Sequence, residues 1–284
     1  MVSIAIAIMM GADSAPIKLV KEFSKQELPF ERINGISVTE DKWVVGSMRG
    51  LYVGTPGGEW EKISDQSIRQ VVSSRGETWA LYGNGSVDKM DVKSNRLYYD
   101  VLQGAVKRPW VGSISAIDNK ILLGGSGGWF EKLGEKSLTE SYPDQLTGKH
   151  VTSLSKAKAD TLIGTQDGLF VSNGKQIKRF GFGDGLSDVW ITSMIPKNNF
   201  VAVGSYNGGL YFYQDRYLIP VETPSKKIRN LLVWKSQLVV GTLEGTWIEN
   251  GKKWTSLAKG ENTFLSTING SLVVGTPASI TFFR

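Results

Sequence analysis

The sequence predicts an all-β fold, a seven-bladed propeller of four-stranded antiparallel blades, on three observations. A strand-like run ending in glycine recurs seven times, at intervals of 34 to 41 residues. A glycine-containing turn and a second, aromatic-bearing strand follow most copies, which is a hairpin signal. No stretch of ten or more residues has convincing 3.6-residue periodicity, so a ring of helices is not supported.

The recurring runs are WVVGS at 43–47, WALYG at 79–83, ILLGG at 121–125, TLIGT at 161–165, VAVGS at 201–205, LVVGT at 238–242 and LVVGT at 272–276. Their anchor glycines are Gly46, Gly83, Gly124, Gly164, Gly204, Gly241 and Gly275. The strands after the turn are RGLYV, GGWFE, DGLFV, GGLYF and EGTWI, whose aromatic residues Tyr52, Trp129, Phe170, Tyr211 and Trp247 are expected to fill space between neighbouring sheets. Upstream of each anchor an innermost strand starts, at 33, 68, 111, 151, 191, 228 and 264. A more polar fourth strand is visible in EWEKIS, RLYYDV, KQIKRF, RYLIPV and KKWTSL.

The seventh unit stops at Arg284 without its fourth strand, and IKLVKEF at 17–23 supplies the missing element. Pairing the two closes the ring and hides the open sheet edges, which an unclosed solenoid would expose. The expected blades are 33–66, 67–109, 110–149, 150–189, 190–226, 227–262 and 263–284 with 17–24. They form one propeller domain over 17–284, preceded by residues 1–16. That opening stretch, MVSIAIAIMM followed by small residues, reads as an export signal or its remnant, with an edge strand as the alternative. The signal reading implies a periplasmic or extracellular protein, the other a cytoplasmic one. The apolar run is too short to cross a bilayer, and no later segment is a membrane span.

The unit beginning at Leu186, LSDVWITSMIPKNNFVAVGSYNGGLYFYQDRY, and the turn GTQDGLFV at 164–171 resemble the two-component regulator propeller repeat. The resemblance extends over nearly the whole chain and concerns the blade. It implies the propeller fold and a sensor-like module outside the cytoplasm, and it carries no catalytic residues. With no transmembrane or kinase segment following, the expectation is a stand-alone propeller.

Composition excludes several chemistries. The chain of 284 residues has no cysteine and one histidine, His150. Disulfides, thiolate metal sites, thiol catalysis and relays needing two histidines are thereby removed. No cofactor is expected: the glycine-rich turns lack GxxxxGK[ST] and Gly124–Gly128 opens no helix. No metal is expected either, because DGLSD at 184–188 has too few spaced oxygens for a calcium loop and instead shapes a turn. The net charge of +6 is spread among acidic neighbours, which argues against nucleic acid.

The loops entering the innermost strands differ from unit to unit, and packing alone would favour uniformity. Ring closure gathers them round one mouth of the central channel. The candidate ligand- or partner-binding residues there are Arg32, Arg49, Arg69, Arg108, Trp110, Lys149, His150, Trp190, Tyr206, Lys227 and Arg229. Basic side chains attract carboxylate, sulfate, phosphate or an acidic protein surface, and the aromatics cover apolar parts. The reading that follows is a non-enzymatic scaffold binding a protein or an anionic small ligand. One alternative is a hydrolase or lyase acting on a carbohydrate or other polar substrate at the channel mouth, with His150 and Asp188 as its acid–base pair. The other is a structural subunit of an envelope assembly.

Overall fold

A computed structural model describes residues 17–24, 28, 30–39, 42–74, 76–91, 96–102, 110–117, 120–133 and 137–284. Seven four-stranded antiparallel sheets follow one another along the chain. Their innermost strands are Ile33–Thr39, Ile68–Ser74, Val111–Ile117, Val151–Ala157, Ile191–Lys197, Ile228–Trp234 and Phe264–Ile268. We number the blades 1 to 7 in that order. The strand Leu19–Ser24 is the outermost of blade 7 and pairs with Ser279–Phe283, closing the ring as expected. Lys18 and Arg284 exchange both backbone hydrogen bonds at 2.8 and 2.9 Å. Residues 1–16, the expected signal, lie outside the described residues.

The apolar core is divided into layers between adjacent blades. One such layer joins Leu162, Leu169 and Phe180 of blade 4 to Ile191, Met194, Val203 and Tyr211 of blade 5, all buried. This follows from the strands' composition. The second strands are buried along nearly their whole length, because both sheet faces are covered by neighbouring blades.

The anchor glycines owe their place to this packing and not to a turn. A Cβ on Gly164 would lie 2.7 Å from Cγ2 of Ile191, the first residue of the next innermost strand. Gly46, Gly124 and Gly204 face Ile68, Val151 and Ile228 in the same way. The second unit corrects the sequence alignment. Leu81, not Gly83, pairs with the third residue of its innermost strand, the position Gly46 holds in blade 1. Leu81 packs with Val111, Ile114 and Leu123, and Gly83 begins the turn after the strand. Blade 3 also has a fourth strand, Ser137–Ser141, whose sequence SLTES gives no apolar signal.

Blades 1 to 6 share a register shift at the second residue of the innermost strand, a β-bulge that no residue type announces. The bulged residues are Asn34, Arg69, Gly112, Thr152, Thr192 and Arg229. Where the bulged side chain is short and polar it latches the next blade. Asn34 Nδ2 donates to the Ile68 carbonyl at 2.8 Å, Thr192 Oγ1 to the Ile228 carbonyl at 2.9 Å, and Thr152 Oγ1 to the Ile191 carbonyl.

Candidate functional site

The loops entering the innermost strands are zipped to the turns between second and third strands. Amides of Met48, Gly127, Tyr206 and Leu243 donate to the carbonyls of Arg32, Lys149, Trp190 and Lys227. The turns bearing Arg49 and Tyr206 therefore lie beside the entry loops that carry Arg32, Lys149, Trp190 and Lys227. Arg108 lies outside the described residues.

The structure neutralises most of the expected basic groups. Arg32 grips Glu261 with both terminal nitrogens, at 2.6 and 3.2 Å, and Arg229 approaches the same carboxylate at 3.8 Å. Arg49 pairs with Glu31 at 2.9 Å, Lys149 with Asp167 at 2.9 Å and Lys227 with Glu244 at 3.1 Å. Hydrogen bonds from Ser225 and Lys227 hold the Glu244 carboxyl below its ordinary range. A face drawn from its basic residues alone looks like an anion trap. Paired with these carboxylates, it is close to locally neutral. Glu31, Asp167, Glu244 and Glu261 escaped the sequence reading because acidic partners come from other loops or from the preceding blade.

Arg69 is different. Among the described residues it has no ion-pair partner, and its bulge presents it above Trp110, with Cζ 5.8 Å from the ring centroid. The Trp110 ring in turn lies 4.8 Å from that of His150, tilted by 58°. Trp110 rests on Gly85, whose φ is +87° and where a Cβ would come within 2.3 Å of the indole. Only glycine fits both the backbone and the space. The loops of blades 2, 3 and 4 thus assemble Arg69, Trp110 and His150 into one cluster.

A second aromatic pair sits on blade 5. Trp190 and Tyr206 stack with centroids 4.5 Å apart and planes 27° from parallel. Two side chains hold this pair. Asp188 accepts hydrogen bonds from Ser205 Oγ at 2.9 Å and the Asn207 amide at 2.8 Å. Buried Tyr211 accepts from the Ser187 amide and donates to the Gly208 carbonyl. Asp188 is therefore a brace for the turn. His150 and Asp188, the acid–base pair of the alternative reading, share no hydrogen bond among the described residues.

The loop before Trp190 adds a residue that the sequence reading passed over. Phe182 begins a short 3-10 turn, Phe182–Asp184, and is 67% exposed. The turn is fixed from both ends. Asp184 Oδ2 accepts from the Gly181 amide at 3.0 Å, Gly185 adopts φ +100°, and Leu186 is buried. DGLSD shapes a turn, as expected. Trp190 is 38% exposed, so this loop carries two large apolar side chains into solvent. The available sequence signal was the glycine bracketing in Gly181-Phe182-Gly183, which leaves the aromatic no local neighbour to pack on.

No protein-family model matches the chain, and no curated protein matches it in sequence. Solved structures do match in shape. Virginiamycin B lyase from Staphylococcus aureus is 9% identical, with a TM-score of 0.70 and 95% of this chain and 99% of that one covered. A chain of the mitotic checkpoint complex is 14% identical with a TM-score of 0.64, covering 99% of both chains. BamB from Moraxella catarrhalis is 13% identical with a TM-score of 0.61, covering 95% of this chain and all of that one. At these identities the likeness is one of fold, and this chain is a seven-bladed β-propeller.

Proposed function

We propose that the protein is a recognition scaffold that binds a protein partner on the face built by the blade-entry loops. One observation carries the reading. Phe182 and Trp190 stand exposed on a loop locked by Asp188, Tyr211 and Asp184, and the half-buried Tyr206 of the adjoining turn stacks on Trp190. Large aromatic side chains held rigid before binding are the composition of interface anchors, since little ordering entropy remains to be lost. Arg69, stacked on Trp110, is the cation placed to meet an acidic side chain of the partner.

The fold does not choose the function by itself, for the neighbours include both a lyase and a member of a multiprotein complex. The ion pairing around the mouth favours a protein surface over a small free anion. Resemblance to the two-component regulator propeller repeat supports a sensor-like role. The apolar opening of the chain supports export to the periplasm or beyond, with 17–284 as the folded domain. Among the described residues no helix is long and apolar enough to cross a membrane.

The test compares two immobilised proteins, wild type and the triple variant Phe182→Ala, Trp190→Ala, Tyr206→Ala, against extract of the source cells. A stoichiometric partner retained by the first and lost from the second is expected, with Lys158→Ala on the opposite face as the unaffected control. Equal retention by both, or no partner at all, overturns the proposal.

A further inference from the structure

A concavity lies on the other side of the ring, between blades 4 and 5. It encloses about 360 Å³, within the range of small-molecule sites. Its walls are the turn Lys158–Ala159 of blade 4 and the turns Asn198–Asn199 and Asp215–Arg216 of blade 5. Four of these residues, Lys158, Asn198, Asp215 and Arg216, have φ between +49° and +70°, the geometry of tight two-residue hairpin turns.

The ion pairs at the neighbouring boundaries are shorter and more buried than the exposed Lys158–Asp215 pair at this one. Between blades 3 and 4, Glu131 takes Lys120 at 2.7 Å and Lys156 at 3.1 Å. Between blades 5 and 6, Lys197 reaches Glu249 and is itself buried. At the boundary of blades 4 and 5, Tyr213 Oη donates to Asp160 Oδ2 at 3.2 Å and fixes a carboxylate on the wall. Burial and Asp160 push the Tyr213 hydroxyl up to about 12, so it stays a neutral donor at physiological pH.

Once pairs are removed, the cleft keeps two charges of opposite sign. Lys156 is taken by Glu131, and Lys158 pairs with Asp215 across the mouth at 3.4 Å. That leaves Asp160 on one wall and Arg216 on the other, neither of them ion-paired among the described residues. The side-chain amides Asn198, Asn199 and Gln214 and the apolar Pro196, Phe200 and Val201 complete the lining. The nearby aromatic rings are already engaged: Phe200 stacks on Phe212 at 4.0 Å and Tyr213 meets Phe180 edge-on at 5.9 Å. A sugar has no free ring to lie on.

We infer that this cleft binds a short zwitterionic peptide, its ammonium at Asp160, its carboxylate at Arg216 and its backbone amides at the Asn and Gln side chains of the lining. This site is independent of the partner-binding face and lies on the opposite side of the ring.

Isothermal titration of the whole protein with a panel of di- and tripeptides tests the inference. Binding of an unmodified di- or tripeptide below about 1 mM is expected. Acetylating its amino end or amidating its carboxyl end should each weaken binding by at least about tenfold, because Asp160 or Arg216 then loses its charged partner. Arg216→Asn, which tolerates the positive φ, should abolish the penalty for amidation alone, and Asp160→Asn the penalty for acetylation alone. Melting curves of both variants establish that they are folded. Should Asp160→Asn unfold through loss of the Tyr213 bond, the Arg216 variant and the blocked peptides still decide. Absence of binding by every peptide, equal binding of blocked and free peptides, or preference for a disaccharide or a dicarboxylate overturns it.

Discussion

Gly164 and Ile191 belong to different blades, yet the backbone of the first touches the side chain of the second so closely that no Cβ fits between them. The same contact between other pairs recurs round the ring, which is why glycine ends the recurrent strand. Gly164→Ala is expected to cost about 1–3 kcal/mol by overpacking. Ile191→Ala in the same chain should return part of that loss. Urea melts of the two single variants and the double variant measure the coupling; strict additivity would show that the contact is not the cause.

Asn262 is fully buried at the junction of blades 6 and 7. Its carboxamide accepts from Asn230 at 2.8 Å and donates to the carbonyls of Phe264 and Gly275 at 3.0 and 3.2 Å. Asn262→Leu should destabilise by about 2–4 kcal/mol, since three partners, two of them buried carbonyls, lose their bonds to it. Asn230→Ala removes one partner and should cost about 1 kcal/mol. Chemical denaturation of both variants checks the ratio.

The strand that closes the ring is anchored by Phe23, which meets Trp43 of blade 1 at 5.3 Å and Phe282 at 5.8 Å. Phe23→Ala is expected to lower stability by about 3 kcal/mol. Hydrogen exchange should then rise first in Ser279–Phe283, the strand it holds in register. Uniform loss of protection across all blades would count against a local role.

Glu261 sits between Arg32 and Arg229. Glu261→Gln leaves two guanidinium groups facing each other without their carboxylate and should destabilise by about 1 kcal/mol in low salt. The difference from wild type should shrink as ionic strength rises. Melts at two salt concentrations are sufficient to see it.

Burial alone would raise the Glu131 carboxyl, but hydrogen bonds from Lys120 and Lys156 outweigh it and hold the group below its ordinary value of 4.5. A depressed folded value means that the stabilisation is present above 4.5 and disappears as the pH falls through the lower, folded value. Wild-type stability should drop more steeply than that of Glu131→Gln over that acid window. At neutral pH the variant should be the weaker by about 1 kcal/mol. Parallel pH–stability curves would contradict the assignment.

Legibility differed between fold and site for identifiable reasons. The Gly-Ser and Gly-Thr strand endings, the hairpin turns and the complementary ends at 17–23 and 279–283 are local signals repeated often enough to reinforce one another. Where a copy departed, as at Leu81, the alignment slipped by two residues, because its glycine had moved from the packing position into the turn. The site was read less completely. Trp110, His150, Trp190 and Tyr206 stood out by residue type, and the structure does bring them into two aromatic groups. Phe182 was missed because an aromatic residue in a loop looks the same in sequence whether it is buried or exposed.

The chain's own order of residues determined the number of blades, their four-strand plan and the closure of the ring, since strand period, turn chemistry and glycine spacing act over a few residues at a time. Tertiary structure decided the electrostatics and the cavities. Arg32 meets Glu261 only because the first and last blades are neighbours in a closed ring. Arg69 faces Trp110 because a bulge turns it there, and blades 4 and 5 leave a cleft because the Lys158–Asp215 pair between them is exposed at its mouth and leaves the interior open. Each of these depends on groups far apart in sequence, whose distance is set when the blades pack.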